Sequence, residues 1–427
     1  MFLLPAGIVA AGIGLSLLTG LIDEAVPDEQ RVPLTLDMTS NAATWLLSTV
    51  AGATITTAGV VFSLAVVSLQ LASSQFSPRV MRSFIRDRLS QVVIGMLVAT
   101  FVYCVLVLPR LSGDPAASAP AVSMTMATVL AVVTVVLIIA HLDHLAHRLQ
   151  VGHVVRVIAD EGEDVITSMA AQKVRGLVTT PNTVPPTSDP ARISCPGNGW
   201  VEQLDVEGML SAMPKGTTVQ METRIGAYIH RGEVLITVWP EPNASTVAAL
   251  IEAVEIADAR TMQQDVDFAI RQLVDIGLKA LSTAINDPST AVEVTLRLGS
   301  LMRQLLASPL AARIIETPDG RRLIRPWDLD HEEYIAHAFD QLRQTSPSQP
   351  QVAASLLRVL KMLTVHARDV GSPHLAPALE RQASMLLEAL VDTSVHPEDL
   401  ARLRELAAGR DPADHRLRSE PIPPASR

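Results

Sequence analysis

Charged side chains are scarce in this 427-residue chain, and its long apolar runs lack them altogether. Asp, Glu, Lys and Arg make up 18% of the residues, and lysine occurs only four times. The net charge of −10 excludes a general electrostatic affinity for nucleic acid or anionic surfaces. The two cysteines, Cys104 in an apolar run and Cys195 in the polar half, predict neither a disulfide nor a cysteine metal site.

Recognised catalytic motifs are also absent from the sequence. It contains no G-x-S-x-G, no P-loop, no H-E-x-x-H and no Cys–His pairing. The carboxylates of Asp265 and Asp267 and a small group of histidines do not have a recognised catalytic spacing. We therefore expect that the protein is not an enzyme and that it uses no cofactor.

The first third of the chain contains four apolar runs without Asp, Glu, Lys or Arg, at residues 2–22, 43–72, 91–109 and 121–141. A helix of roughly 20 apolar residues crosses a bilayer. No Lys or Arg precedes the first run and no A-x-A site follows it, so we expect a retained helix rather than a signal peptide. The sequence predicts a four-helix transmembrane domain over residues 1–142, embedded in a lipid bilayer.

A cluster of arginines follows the second run and indicates the orientation of the protein. This cytoplasmic anchor consists of Arg79, Arg82, Arg86 and Arg88. By the positive-inside rule, the anchor, the N-terminus and everything after His141 lie in the cytoplasm. The cores of the four spans carry no ionisable side chain, which argues against a proton relay or an ion-coupled transporter.

The second run also carries a polar stripe whose members lie one heptad apart: Thr49, Thr56, Ser63 and Gln70. A seven-residue step drifts only about 20° around a helix, so these side chains share one face with Gly52 and Gly59. One interpretation is close packing of helices, and the other is a polar lining for a path through the membrane.

Three histidines, His141, His144 and His147, lie at the end of the fourth run. Their i, i+3, i+6 spacing covers a broad arc of a helix, whereas a helical zinc site typically uses i, i+4. We expect the helix to continue beyond the membrane as a water-exposed segment that carries these histidines. A metal site is the weaker alternative.

Composition divides the remainder into four segments: a juxtamembrane helix and Pro-rich linker at 143–198, a small β module at 199–241, a helical domain at 244–410, and a disordered tail at 411–427. Glycines recur between the predicted short strands of the β module. Its sequence "IGAYIHRGEVL" resembles the barrel-sandwich turn of biotinyl/lipoyl-like modules. The modified lysine hairpin of those carriers has no match here, so the resemblance implies the shape and not the prosthetic group.

A break in the helical domain gathers polar residues that we interpret either as a buried structural network or as a binding pocket. This elbow consists of Arg260, Asp265, Arg271, Asn286, Asp287 and Thr290. Asp287 suits a helix N-cap and Pro288 a first turn. Upstream, Asp267, Arg271, Asp275 and Lys279 alternate in sign every four residues, which predicts a solvated face with ion pairs.

Two blocks of the chain, residues 55–88 and 260–291, resemble hallmark blocks of a bacterial family of membrane proteins classed only as a domain of unknown function. The resemblance implies an inner-membrane location and brings no activity. The expected fold class is an α-helical integral membrane protein with a cytoplasmic part made of a barrel-sandwich-like β module and a helical domain.

Two hypotheses for the function remain open. The first is a homo-oligomeric, pore-like membrane protein with a cytoplasmic regulatory domain. The second is a membrane-tethered scaffold or sensor whose cytoplasmic part binds a protein or a small ligand.

Overall fold

The computed structural model describes residues 3–25, 35–75, 88–148, 150–171, 189–393 and 395–410. The chain divides into two compact units, Met1–His153 and Val154–Arg427. The arginines at 79, 82 and 86 of the predicted anchor, the tail at 411–427 and most of the Pro-rich segment lie outside the described residues.

Four long helices form the N-terminal unit: α1 (Leu3–Ala25), α2 (Ser40–Gln75), α3 (Arg88–Val107) and α4 (Ala121–Arg148). The segments long and apolar enough to span a membrane are Leu3–Ala25, Ser40–Val67, Arg88–Arg110 and Ala121–Leu145. The prediction of four helices that are long and apolar enough to cross a membrane is therefore confirmed.

Small residues allow α1 and α3 to approach each other closely. A Cβ added at Gly12 would lie 3.0 Å from the Cβ of Ala99, and one added at Gly95 would lie 3.1 Å from the Cα of Pro5. Membrane helices rely on such contacts because lipid gives them no hydrophobic reason to associate.

Polar side chains also join these helices through hydrogen bonds. The hydroxyls of Thr19 on α1 and Tyr103 on α3 are 2.9 Å apart, and the Tyr103 hydroxyl donates to the carbonyl of Ser123. Asp23 at the end of α1 accepts hydrogen bonds of 2.9 Å from the backbone N–H groups of Val122 and Ser123. These bonds satisfy the first turn of α4, which has no intrahelical partners of its own.

The C-terminal unit combines helices with two small sheets. Its helices are α5 (Val151–Ala171), α6 (Val206–Ala212), α7 (Ala244–Glu252), α8 (Val266–Ala280), α9 (Pro288–Ala307), α10 (His331–Thr345), α11 (Pro350–Asp369), α12 (Ala376–Val391) and α13 (Pro397–Ala407). Its strands are β1 (Ala191–Ser194), β2 (Gly199–Leu204), β3 (Thr218–Met221), β4 (Tyr228–Ile229), β5 (Val234–Trp239), β6 (Val254–Ala257), β7 (Ile314–Glu316) and β8 (Arg322–Ile324).

The strands pair in the orders β1-β5-β3-β8-β7 and β4-β2-β6. Only the β3–β8 pair is parallel among the described strands. Fully buried side chains of the larger sheet, including Val219, Leu235, Val238 and Leu323, form the centre of an apolar core with α6 and α7.

Three segments differ from the sequence-based prediction. Residues 191–194, expected in the linker, form the edge strand β1, which needs a hydrogen-bonded neighbour on one side only and tolerates the prolines around it. Residues 254–257, expected within the helical domain at 244–410, form β6, which pairs with β2. The expected helical domain also contributes β7 and β8, because β8 pairs with β3 of the predicted β module. The module at 199–241 therefore shares its sheet with later parts of the chain.

The helical layer is centred on α8, which packs on α9 and α10. A Cβ added at Gly277 of α8 would lie 2.8 Å from Leu342 of α10 and 3.2 Å from Val294 of α9. A Cβ at Gly162 of α5 would lie 2.8 Å from Ala269 of α8. This close packing holds α8 against α5, α9 and α10.

The α1–α3 contact provides a test of the membrane fold. We expect Gly95→Leu to lower the thermal unfolding temperature of the detergent-purified protein, because overpacking a tight contact costs about 1–3 kcal/mol. Gly14→Leu is the matched control, since nothing lies within 4 Å of a Cβ at Gly14. Equal unfolding temperatures for the two variants would contradict the α1–α3 contact.

Candidate functional site

A cluster of buried charges surrounds the first turn of α8. Asp265 caps this helix by accepting a hydrogen bond from the backbone N–H of Phe268, and Arg260 binds both of its oxygens, at 2.5 and 3.0 Å. Asp267, with a side chain only 2% exposed, accepts a second bond from Arg260 at 2.8 Å. His337 of α10 donates from Nδ1 to Asp267 at 2.7 Å.

Two further arginines lie near Asp267. Arg271, one turn along α8, is 3.8 Å from its Oδ1, and Arg224, from the loop between β3 and β4, is 3.9 Å from its Oδ2. We call Arg224, Arg260, Asp265, Asp267, Arg271 and His337 the charge cluster. It joins a loop, two helices and the segment between β6 and α8.

Two aromatic rings and a glycine complete the surroundings of Arg260. Its guanidinium carbon lies 5.3 Å from the ring centre of Phe268 and 5.8 Å from that of Trp200, distances typical of cation–π contacts. Gly226 has a φ of +78°, and a Cβ there would lie 2.2 Å from Asp265 and 2.7 Å from Arg260. Only glycine satisfies both the backbone conformation and the space at this position.

The two carboxylates of the cluster titrate in opposite directions. Burial alone would raise the pKa of Asp267, but the hydrogen bonds from His337 and Arg260 outweigh it and hold that pKa well below the ordinary range. Burial raises the pKa of Asp265, and the bonds from Arg260 offset this only in part. Asp267 is therefore the firmly ionised member of the pair.

An open cleft of about 750 Å³ lies beside the charge cluster. Asp265, Arg224, Arg325, Asp328 and Tyr334 line its polar part. Its apolar wall includes Leu204, Val206, Ile225, Leu310 and Leu329. The volume and the mixture of apolar walls with a few polar groups are typical of small-molecule sites.

The predicted elbow separates into two places. Arg260, Asp265 and Arg271 belong to the charge cluster at the N-terminal end of α8. Asp287 instead caps α9, accepting hydrogen bonds from the backbone N–H and the hydroxyl of Thr290, while Asn286 has a φ of +47° and accepts from Gln349. Because α8 is 15 residues long, roughly 22 Å separates the two ends.

The expected solvated face of α8 is wrong at Asp267, which is 1% exposed. A pattern of alternating charges along a helix does not reveal which of the charged side chains is buried against the rest of the protein. The sequence analysis also missed Arg224 and His337, which are distant along the chain from the elbow. The one available signal was Gly226, whose turn position brings Arg224 towards the cluster.

The polar stripe of α2 faces away from its own bundle. Thr49, Thr56, Ser63 and Gln70 are all exposed. Nothing lies within 4 Å of a Cβ at Gly52 or Gly59. The buried side of the helix instead carries apolar and hydroxyl residues such as Leu47, Thr54 and Val61.

The remaining predicted residues are the arginines of the cytoplasmic anchor and the histidines at the end of the fourth apolar run. Arg88 begins α3 and is exposed. His141 is buried, His144 is partly buried, and the side chain of His147 lies outside the described atoms. Within the described ranges, no three His, Cys, Asp or Glu side chains are grouped to hold a metal ion.

The four apolar helices and the mixed C-terminal unit define a membrane protein with a large polar part. Residues 1–362 match the family described as "Predicted membrane protein (DUF2254)", and the chain belongs to that family. The resemblance seen in residues 55–88 and 260–291 is thus confirmed.

Similar proteins include uncharacterized proteins of Mycobacterium bovis and of two Mycobacterium tuberculosis strains, each 29% identical over 430 residues. The alignments cover 96% of this chain and 79% of each relative. No solved structure matches the chain.

The titration of Asp267 gives a second prediction. A group whose pKa is depressed by folding stabilises the folded state above its ordinary value, here 3.8, and loses that contribution as the pH falls through the folded value. We expect Asp267→Asn to cost about 3 kcal/mol near pH 7, because it leaves buried cations without their carboxylate. The difference from the wild type should shrink below about pH 4.

Thermal unfolding of the purified full-length protein between neutral and acidic pH measures this difference. Asp258→Asn, at an exposed position near the same cluster, is the control and should follow the wild type at every pH. A deficit of Asp267→Asn that stays constant down to the most acidic conditions would contradict the assignment.

Proposed function

We propose that the protein is a homo-oligomeric, channel-like protein of the bacterial inner membrane, whose copies associate through the polar stripe of α2. The observation that carries this proposal is the outward direction of the stripe. Hydroxyl and glycine surfaces in contact with lipid gain little, whereas they suit the close approach of another helix.

The spacing of the outward residues supports a helix as their partner. Thr49, Gly52, Thr56, Gly59 and Ser63 alternate steps of three and four residues and are all exposed. This alternation generates one continuous seam along a helix and is typical of helix–helix interfaces. The hydroxyl of Thr56 donates to the carbonyl of Gly52 at 2.8 Å, so its oxygen lone pairs still face outward.

A ring of copies would convert the seam into the lining of a path. In a closed cyclic assembly the same face of each α2 points to the symmetry axis, so the hydroxyls of every copy surround a common space. The four spans and the positive-inside rule support multi-pass insertion with the C-terminal unit in the cytoplasm, where it would act as the regulatory part.

Cross-linking tests the association. In a chain with Cys104 and Cys195 replaced by alanine, we expect Thr56→Cys to form a disulfide-linked dimer in membranes under mild oxidation, because the seam brings equivalent residues of two copies together. Ile55→Cys is the matched control, since Ile55 is 44% exposed but its side chain lies about 100° around the helix from that of Thr56. Equal cross-linking at both positions would contradict association through the stripe.

Thiol labelling and ion-flux measurements distinguish a water-filled path lined by the polar stripe from helix packing that excludes water. We expect a charged, water-soluble thiol reagent to modify Ser63→Cys in liposomes and to reduce ion flux through the protein. Phe62→Cys, at a position 62% exposed on the lipid side, should be modified far more slowly. If copies associate but neither labelling nor flux is observed, the result would support the oligomer and contradict the water-filled path.

A second candidate function is that of a membrane-tethered sensor or scaffold. The observation that favours it is the open cleft beside the charge cluster, which has the volume of a small-molecule site. A sensor does not need the α2 seam to line a path, so the two candidates are tested separately.

A further inference from the structure

We propose that the cleft of the C-terminal unit binds the carboxylate of a small aliphatic ligand, an apolar amino acid or the corresponding plain acid, through Arg325 and Arg224. This inference rests on the sensor candidate and names the class of ligand that the sensor would detect. It does not depend on the association of copies through α2.

The buried guanidinium of Arg325 is the first observation that points to a ligand. Arg325 directly follows β8, its side chain is only 7% exposed, and it contributes to the lining of the cleft. Its Nε is buried and has no hydrogen-bond partner among the residues that the structure describes. Because the Nε–H of arginine only donates, the group that would complete this site is an acceptor.

The protein holds the rest of this guanidinium in place. Nη2 of Arg325 donates to the carbonyl of Ala312 at 2.6 Å, and Nη1 lies 3.4 Å from a carboxylate oxygen of Asp328. These contacts order the side chain before a ligand arrives, which lowers the entropic cost of binding.

Arg224 adds a second guanidinium to the lining. Its side chain is 23% exposed. Within the described structure it uses one of its five N–H donors in a hydrogen bond, to the carbonyl of Ile225 at 3.1 Å. The 3.9 Å between its Nη2 and Asp267 is too long for a hydrogen bond. Arg224 therefore retains donors that a ligand would engage.

Both arginines act on the carboxylate of Asp328. Burial raises the pKa of Asp328, and the positive charges of Arg325, Arg313 and Arg224 oppose that shift. The two arginines of the lining therefore lie near the same point of the cleft, where one ligand carboxylate would accept hydrogen bonds from both. Hydrogen bonds between guanidinium and carboxylate are among the strongest in proteins.

The acids of the lining restrict the charge of the ligand. Three of them are exposed: Glu207, Glu252 and Glu255. They would repel a ligand with several negative charges and would attract an ammonium group. The lining therefore favours a single carboxylate, either alone or in an amino acid whose ammonium these acids attract.

The apolar wall favours a ligand with an aliphatic body. Its members suit methylene and methyl groups: Leu204, Val206, Ile225, Leu310 and Leu329. A small aliphatic carboxylate combines this apolar body with the acceptor that Nε of Arg325 lacks.

The test is calorimetric titration of the full-length protein in neutral detergent with three probes that share one branched body. Leucine carries both a carboxylate and an ammonium, isocaproate lacks the ammonium, and isoamylamine lacks the carboxylate. We expect leucine or isocaproate to bind saturably and isoamylamine not to bind. The tighter of the two carboxylates identifies the ligand as an amino acid or as a plain acid. Saturable binding of isoamylamine, or no binding of either carboxylate at millimolar concentration, would overturn the proposal.

A matched pair of variants tests the role of Arg325. Arg325→Lys keeps the charge and removes the Nε donor, and it should weaken binding about tenfold or more, as expected for the loss of one hydrogen bond to a charged group. Arg322→Lys makes the same change at an arginine whose Nε is also buried without a partner in the described structure, but which does not line the cleft. This control should bind as the wild type does, and equal affinities of the two variants would contradict the role of Arg325.

Arg224→Gln, at a less buried position, is the second variant if Arg325→Lys does not fold. It should weaken binding several-fold, and unchanged binding would contradict a site shared by the two arginines. Failure of both carboxylates to bind, alongside intact cross-linking at Thr56→Cys, would remove the ligand and leave the proposed oligomer standing.

Discussion

The ionised carboxylate of Asp267 is the constraint on which the C-terminal unit depends. A charge with almost no exposed surface is costly unless cations and hydrogen-bond donors surround it. The protein supplies them from Arg260, His337, Arg271 and Arg224, which belong to different segments of the chain. Those segments can satisfy Asp267 only when both sheets and α10 are in place around α8.

This requirement favours one arrangement of the segments over others, and it contributes less to the total free energy of unfolding. Replacing a buried ion pair by apolar residues is often neutral or stabilising, whereas removing one partner alone is costly. The charge cluster therefore penalises any arrangement in which one segment is displaced, since a charge would remain buried without its partner. The neighbouring cleft benefits, because Asp265 and Arg224 belong to both the cluster and the cleft lining.

In the N-terminal unit, polar groups must find their hydrogen-bond partners within the protein, since lipid supplies no hydrogen bonds. Inside the bundle, polar groups meet one another, as Thr100 and Thr134 do at 3.0 Å between α3 and α4. On the outward face of α2 the hydroxyl of Thr56 bonds only within its own helix. That contrast is the physical reason for the proposal that the polar stripe contacts a further copy of the chain.

The sequence predicted the membrane helices well because a run without charge has few alternatives to crossing a bilayer. It predicted the cap at Asp287 because capping depends on residues close together in the chain. It did not predict β6, β7 and β8, because short strands depend on partners far away, as β8 depends on β3. The charge cluster has the same origin, since His337 meets Asp267 across 70 residues.

The same long-range dependence explains why the elbow separated into two places. Residues near a helical break look like one group in sequence, yet a helix of 15 residues carries its two ends far apart. Asp287 and Thr290 satisfy each other and leave nothing for a ligand.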